Sequence, residues 1–154
     1  DAGVNVALGT DGAASNNDLD MFSEMRTAAL LAKAVKGDAS ALPAAKALQM
    51  ATLNGARALG LDSEIGSLEA GKLADIISVN LSDLNTQPLF NPASQLVYST
   101  NSRQVSNVWV AGRLLVDNRQ LTTIDTEAVR RDVARWQQRL YPDTRHQEIL
   151  HEHD

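Results

Sequence analysis

The chain has no cysteine. That excludes a disulfide framework and a thiolate metal site, and it fits a reducing compartment. Histidine is nearly as scarce. All three, His146, His151 and His153, lie in the last nine of 154 residues, so imidazole chemistry has no anchor in the first 145. No apolar run approaches the roughly 18 residues of a membrane span, and no basic-then-apolar start marks a signal peptide. There is no G-x-G-x-x-G, no phosphate-binding loop and no G-x-S-x-G, so nucleotide-cradle and covalent-nucleophile readings lack a motif. A net charge of −5 argues against a nucleic-acid partner, because phosphate binding needs a basic surface. What is present is ordinary: 44% hydrophobic and 21% charged residues, too apolar for disorder. The length suits one domain or a larger one cut short. The chain begins at Asp1, with no Met.

The pattern runs strand, helix, helix, short strands, helix. Val4 to Leu8 reads as a buried strand closed by the Gly9-Thr10-Asp11-Gly12 turn. A helix is expected over about 18–36, capped by Asn17 or Asp18, with Phe22, Met25, Ala29 and Ala32 on its apolar face and Gly37 as its stop. A second is expected over about 41–59, capped by Ser40, with Pro43 in its first turn, an Ala44, Ala47, Leu48, Ala51 stripe and Gly60 at its end. Strands are expected at Asp75–Val79, Leu96–Tyr98, Val105–Val110 and Leu114–Val116, the last two joined through Ala111-Gly112-Arg113. Asp125 or Thr126 caps a last helix to about Leu140, with Val129, Val133, Trp136 and Leu140 on one face and Arg131, Arg135 and Arg139 on another. A lone parallel strand needs parallel neighbours. No other clear strand–helix repeat supplies them, so the first third reads as the end of a larger unit.

Asp11 is the sharpest chemical candidate. An acid just past a buried strand is where open sheets and barrels keep catalytic groups, and glycines on both sides let the backbone approach a ligand. A plain β-turn accounts for the same residues. Ser15, Asn16 and Asn17 could line a polar pocket or simply cap the helix that follows. His151-Glu152-His153 has the form of a metal-binding pair, but no strand leads into it, and a solvated tail is the plainer account. The arginine stripe is interrupted by Glu127 and Asp132, as on a solvated helix face.

Several stretches in order resemble the amidohydrolase superfamily, in its aminohydrolase and chlorohydrolase branch. Gly3–Gly12 resembles the eighth barrel strand and its loop, continued by Ser15-Asn16-Asn17 and Asp20-Met21. Ala51–Gly60 resembles the family's late helix, Gly66–Asp75 the return from the barrel into a small β-sandwich, and Val105–Val116 the closing hairpin of that sandwich. Together they cover about residues 3–120. Within the branch, Gly9–Asn17 is most similar to 5′-methylthioadenosine/S-adenosylhomocysteine deaminases.

The resemblance implies an α/β fold: the end of a metal-dependent (β/α)8 barrel over 1–64, part of a composite β-sandwich over 65–122, a C-terminal helix over 123–141 and a polar tail over 142–154. It implies hydrolytic replacement of the adenine 6-amino group by oxygen, with release of ammonia, on a purine nucleoside thioether in the cytoplasm. No nucleic-acid or membrane partner is implied, and a homo-oligomer is compatible. The family's single metal, zinc or sometimes iron, is held by histidines of earlier strands and by an Asp of the eighth, which Asp11 matches. Asp11 is thereby the expected catalytic residue and metal ligand, and Ser15, Asn16 and Asn17 the expected substrate contacts. A barrel takes roughly 250 residues, so the histidine ligands are expected upstream. The chain alone is expected to be inactive and to hold no catalytic metal. The rival within the family is a chlorohydrolase or another purine, pyrimidine or triazine aminohydrolase. The rival from another class is a non-catalytic scaffold relative.

Overall fold

Helix α1 (Met21–Lys36) begins where the Asp20 carboxylate accepts the N–H of Phe22, and ends at Gly37 in the left-handed conformation. These facts come from a computed structural model, which describes residues 2–141. The cap is Asp20, not the expected Asn17 or Asp18. All three side chains suit the role, but only Asp20 is buried, and its second oxygen takes the N–H of Ser102 at 3.0 Å.

The helix expected over 41–59 is two. α2 (Ala44–Ala51) starts after Pro43 rather than at Ser40, and α3 (Leu53–Leu59) follows a break at Thr52 (φ −126°, ψ −95°). The Thr52 hydroxyl donates to the Leu48 carbonyl at 2.8 Å. Such back-bonding gives the backbone an alternative to continuing the helix.

Leu96–Tyr98, expected as a strand, lies in helix α4 (Pro92–Tyr98). Asn91 caps it and Pro92 holds its first position, where the missing N–H costs nothing. α1, α2 and α4 pack pairwise. Phe22, Met25, Ala29, Ala44, Ala47 and Val97 make the buried core, with Leu8, Val79 and Val105 packed against it. The alanines let the helices approach closely, so the core is built from few large side chains.

The sheet is antiparallel, in the order β1 (Ile76–Val79), β2 (Val105–Val110), β3 (Arg113–Asp117), β4 (Gln120–Leu121). Ile76 opposes Trp109, and Val110 opposes Arg113. The expected hairpin forms with a two-residue turn. Both Ala111 (φ 48°) and Gly112 (φ 77°) are left-handed, as a type I′ turn demands. Alanine is poorly suited to that conformation. The Ala111 N–H donates to the Asp75 carboxylate at 2.6 Å and the Gly112 N–H to the Ala74 carbonyl at 3.0 Å, and these bonds hold the turn.

Val4 to Leu8 joins no ladder, contrary to expectation, because no strand lies beside it among the described residues. Val4 and Val6 are 74% and 51% exposed.

The chain divides into two compact units, Asp1–Gln120 and Leu121–Asp154. In the second, α5 (Thr126–Leu140) is capped by Asp125, whose carboxylate accepts from Glu127 and Ala128, both at 3.0 Å. None of its residues is buried. Its arginines pair along the helix, Arg130 with Glu127 and Arg135 with Asp132.

The Glu64–Asp75 connection folds back over α3. The Lys72 ammonium donates to the Asp62 carbonyl and the Ser67 hydroxyl, both at 2.6 Å. Gly66 lies at the closest approach, with φ 89°. A Cβ there would stand 2.7 Å from the Ala56 Cβ and 3.0 Å from the Leu53 Cα. Steric overlap and a left-handed backbone both oppose any side chain. Gly66→Ala is expected to lower the unfolding free energy by about 2 kcal/mol or more. Urea unfolding that leaves the variant within about 0.5 kcal/mol of the parent would contradict the contact.

Candidate functional site

Residues 4–8 are strapped to the helices by neutral hydrogen bonds. The Asn5 amide donates to the Asn54 carbonyl at 3.0 Å, and the Asn54 amide donates back to the Val6 carbonyl at 2.9 Å. The Leu8 N–H donates to the Met50 carbonyl at 3.1 Å, while its side chain packs on the core. The break at Thr52 places Asn54 at the start of a separate short helix, from which it meets this segment.

Beyond the strap the chain turns. Asp11 is exposed and left-handed (φ 59°), a region that Asp and Asn tolerate better than other side-chain-bearing residues. Its carboxylate accepts the Gly12 N–H at 2.8 Å, and the Thr10 hydroxyl donates to its carbonyl at 3.1 Å. The Gly12 carbonyl then accepts two N–H groups, from Ser15 at 2.9 Å and from Asn16 at 3.0 Å. Asp11 is therefore a turn residue whose side chain is left exposed.

The three polar residues of the next loop separate in role. Ser15 and Asn17 are exposed. Asn16 is half-buried, and both ends of its amide are engaged within the chain. Its nitrogen donates to the Glu24 carboxylate at 2.8 Å, and its oxygen accepts the Asp18 N–H at 3.1 Å. In the sequence Glu24 reads only as an acid placed early in the helix, where the helix dipole favours anions, and nothing local to it reveals the contact with a loop residue eight positions earlier.

Asp20 anchors the far side of this loop. Its two oxygens take the N–H groups of Phe22 (2.8 Å) and Ser102 (3.0 Å). Burial pushes its carboxyl up, but the donated bonds of Ser102, Phe22 and Ser23 outweigh burial and hold it below the ordinary carboxylate value.

The residues described do not make a metal site by themselves. Among them no group of three His, Cys, Asp or Glu converges to hold an ion, and a single exposed carboxylate falls short of the three or four protein donors that zinc takes. His151-Glu152-His153 and the tail over 142–154 lie outside the described residues. A groove of about 430 Å³ runs between the α2–α3 junction and β1, walled by Ala51, Gly55, Ile65 and Ile76, and Asp11 is not in its wall. No helix among the described residues is long and apolar enough to cross a membrane.

Residues 1–115 match the Amidohydrolase family profile, and the chain belongs to that family. A 5-methylthioadenosine/S-adenosylhomocysteine deaminase of Teredinibacter turnerae is 56% identical over 138 residues, which are 90% of this chain and 31% of that protein. A 5′-deoxyadenosine deaminase of Methanosarcina acetivorans is 50% identical over 127 residues, 82% of this chain and 29% of that protein. Among solved structures, an adenosine deaminase from Xanthomonas campestris with bound zinc superposes with a TM-score of 0.84 at 56% identity, over 88% of this chain and 31% of its own. An atrazine chlorohydrolase mutant from Arthrobacter aurescens, complexed with zinc and atraton, superposes with a TM-score of 0.72 at 31% identity, over 86% and 30%. The chain spans less than a third of the length of these curated relatives.

Asp20 yields a test with a defined sign. Its folded-state value is depressed, so its contribution is complete above the unfolded value near pH 4 and is lost as pH falls through the lower folded value. Asp20→Asn keeps one acceptor but leaves an N–H facing a donor, at a cost of about 1–3 kcal/mol at pH 7. Urea unfolding at pH 7 and at about pH 2.5 is expected to show that gap narrowing in acid. A gap unchanged across that range would mean that the Asp20 charge does not matter.

Proposed function

We propose that this chain belongs to a hydrolytic deaminase acting on an adenine nucleoside thioether, methylthioadenosine or S-adenosylhomocysteine. Water's oxygen bonds to C6 of the adenine ring, the C6–N bond breaks, and ammonia leaves. The observation that carries the reading is the Asp11 turn. An exposed carboxylate is held in a left-handed turn, directly beyond a segment strapped to packed helices. The 56% identity to a deaminase of that specificity supports the choice of substrate.

In this reading residues 1–64 are the end of a (β/α)8 barrel with Val4–Leu8 as its last strand, 65–122 part of a β-sandwich, 123–141 a C-terminal helix and 142–154 a polar tail. The exposure of Val4 and Val6 agrees with a strand whose neighbours come from elsewhere in the whole protein. Asp11 serves as the catalytic carboxylate and as one metal ligand, with the other ligands outside the described residues. Zinc, or alternatively iron, would supply a water whose pKa is lowered toward neutrality. Asp11 itself takes a proton from the attacking water and passes it to the departing amine, a role that requires the carboxylate to reach both. Ser15 and Asn17 face the substrate as hydrogen-bonding groups, with Asn16 beside them. The setting is cytoplasmic. Substrate and water are the partners, with no nucleic acid or membrane, and a homo-oligomer is compatible.

One observation favours a second reading. The likeness to a triazine chlorohydrolase spans nearly as much of the chain as the likeness to a deaminase, at lower identity. A whole protein of that kind would release chloride from a halogenated triazine.

A substrate panel separates the two. Full-length enzyme is expected to release ammonia from methylthioadenosine and adenosylhomocysteine, with guanine and a chlorotriazine as poor substrates. Asp11→Ala and Asp11→Asn are each expected to lower kcat/KM by a factor of about 10³ or more. Chloride release as the dominant activity would favour the second reading, and full activity in both Asp11 variants would remove Asp11 from the site.

A further inference from the structure

We propose that Glu24 is a positioning residue, which holds the Asp11 turn in place through Asn16. The inference rests on the reading that Asp11 does the chemistry. It assigns Asn16 to the scaffold of the site instead of to substrate contact.

The connection is continuous. Glu24 lies in the first turn of α1, and its N–H donates to the Asp20 carbonyl at 3.2 Å. Phe22 and Met25, on either side of it in sequence, are buried in the core. Its carboxylate accepts the Asn16 amide at 2.8 Å, a bond strengthened by the charge on the acceptor. Both residues are half-buried, so water competes less for this bond than for a surface pair. The Asn16 backbone N–H in turn reaches the Gly12 carbonyl and closes the turn that follows Asp11 directly. Loss of the Glu24 contact would free Asn16 to leave Gly12. The left-handed Asp11 would then rely on its own Gly12 bond, on Thr10 and on a following turn held by the Ser15 bond alone. A misplacement of about 1 Å in a reacting group can cost on the order of 100-fold in rate.

A merely capping Glu24 would require only negative charge near the helix N-terminus. The geometry requires an acceptor at one place, facing a donor. That difference sets the experiment, which uses steady-state ammonia release from methylthioadenosine by the full-length enzyme. Glu24→Ala is expected to lower kcat by about 10- to 100-fold, with KM nearly unchanged. Glu24→Gln, whose amide oxygen still accepts, is expected to stay close to the parent. Asn16→Asp places two carboxylates face to face and is expected to lose activity. Combining Asn16→Asp with Glu24→Gln restores a bond with donor and acceptor exchanged, and is expected to regain about tenfold or more over Asn16→Asp alone. No regain in the combined variant would overturn the proposal even if Glu24→Ala does not fold. So would an Asn16→Ala variant with raised KM, unchanged kcat and an effect simply additive to that of Glu24→Ala, since Asn16 would then touch substrate. Asp11→Ala in the same series keeps the two claims apart. An active Asp11→Ala enzyme defeats the site reading. An inactive one, with no regain in the exchanged pair, defeats only the role of Glu24.

Discussion

The two hydrogen bonds of the Asp20 carboxylate join parts of the molecule that lie far apart in the sequence. One oxygen starts α1 and the other holds the backbone at Ser102, 82 residues away. Through that carboxylate the N-terminal turn of α1 is set against the approach to the sheet. A second link, from the Arg26 guanidinium to the Thr100 carbonyl at 2.6 Å, runs alongside it. The loop that carries Asp11 ends at Asp20, so its far anchor is as firm as this junction. A buried carboxylate satisfied by backbone N–H groups is costly to disturb, because any replacement leaves a donor without an acceptor.

The near anchor works differently. Residues 4–8 have no ladder, yet two asparagines and one backbone pair fasten them to α2 and α3. Leu8 alone of that segment's apolar residues reaches the core, while Val4 and Val6 stay open. On the reading proposed above, the open valines agree with a strand whose neighbours lie elsewhere in the whole protein.

Much of this was legible beforehand, and the failures have physical causes. The turn at Asp11 could be found because glycine flanks an acid just past an apolar run, and the backbone there turns. The hairpin at Ala111-Gly112 could be found because a single Gly sits between two β-rich runs. The cap of α1 lies two or three positions beyond the expected one, since Asn17, Asp18 and Asp20 all suit the role until Ser102 selects one of them. Leu96-Val97-Tyr98 has the composition of a strand and Pro92 reads as a loop residue, yet Asn91 and Pro92 start a helix that runs through them. The break at Thr52 depends on a hydroxyl that turns back on its own helix. Asn16 was legible as a polar residue near the site. Its partner Glu24 was not, because helix and loop meet only once both are folded.

The strap on residues 4–8 has a further consequence, for behaviour in salt. Its bonds run between amides and carbonyls, with no ionised group at either end. Ionic screening, which weakens contacts between exposed charges within a Debye length of about 8 Å at physiological strength, has little to act on there. The position of Asp11 is thereby insulated from the ionic medium at its near anchor, while the Asp11 carboxylate itself stays open to it. The charged contacts that position Asp11, of Asp20 and Glu24, all lie on its other side.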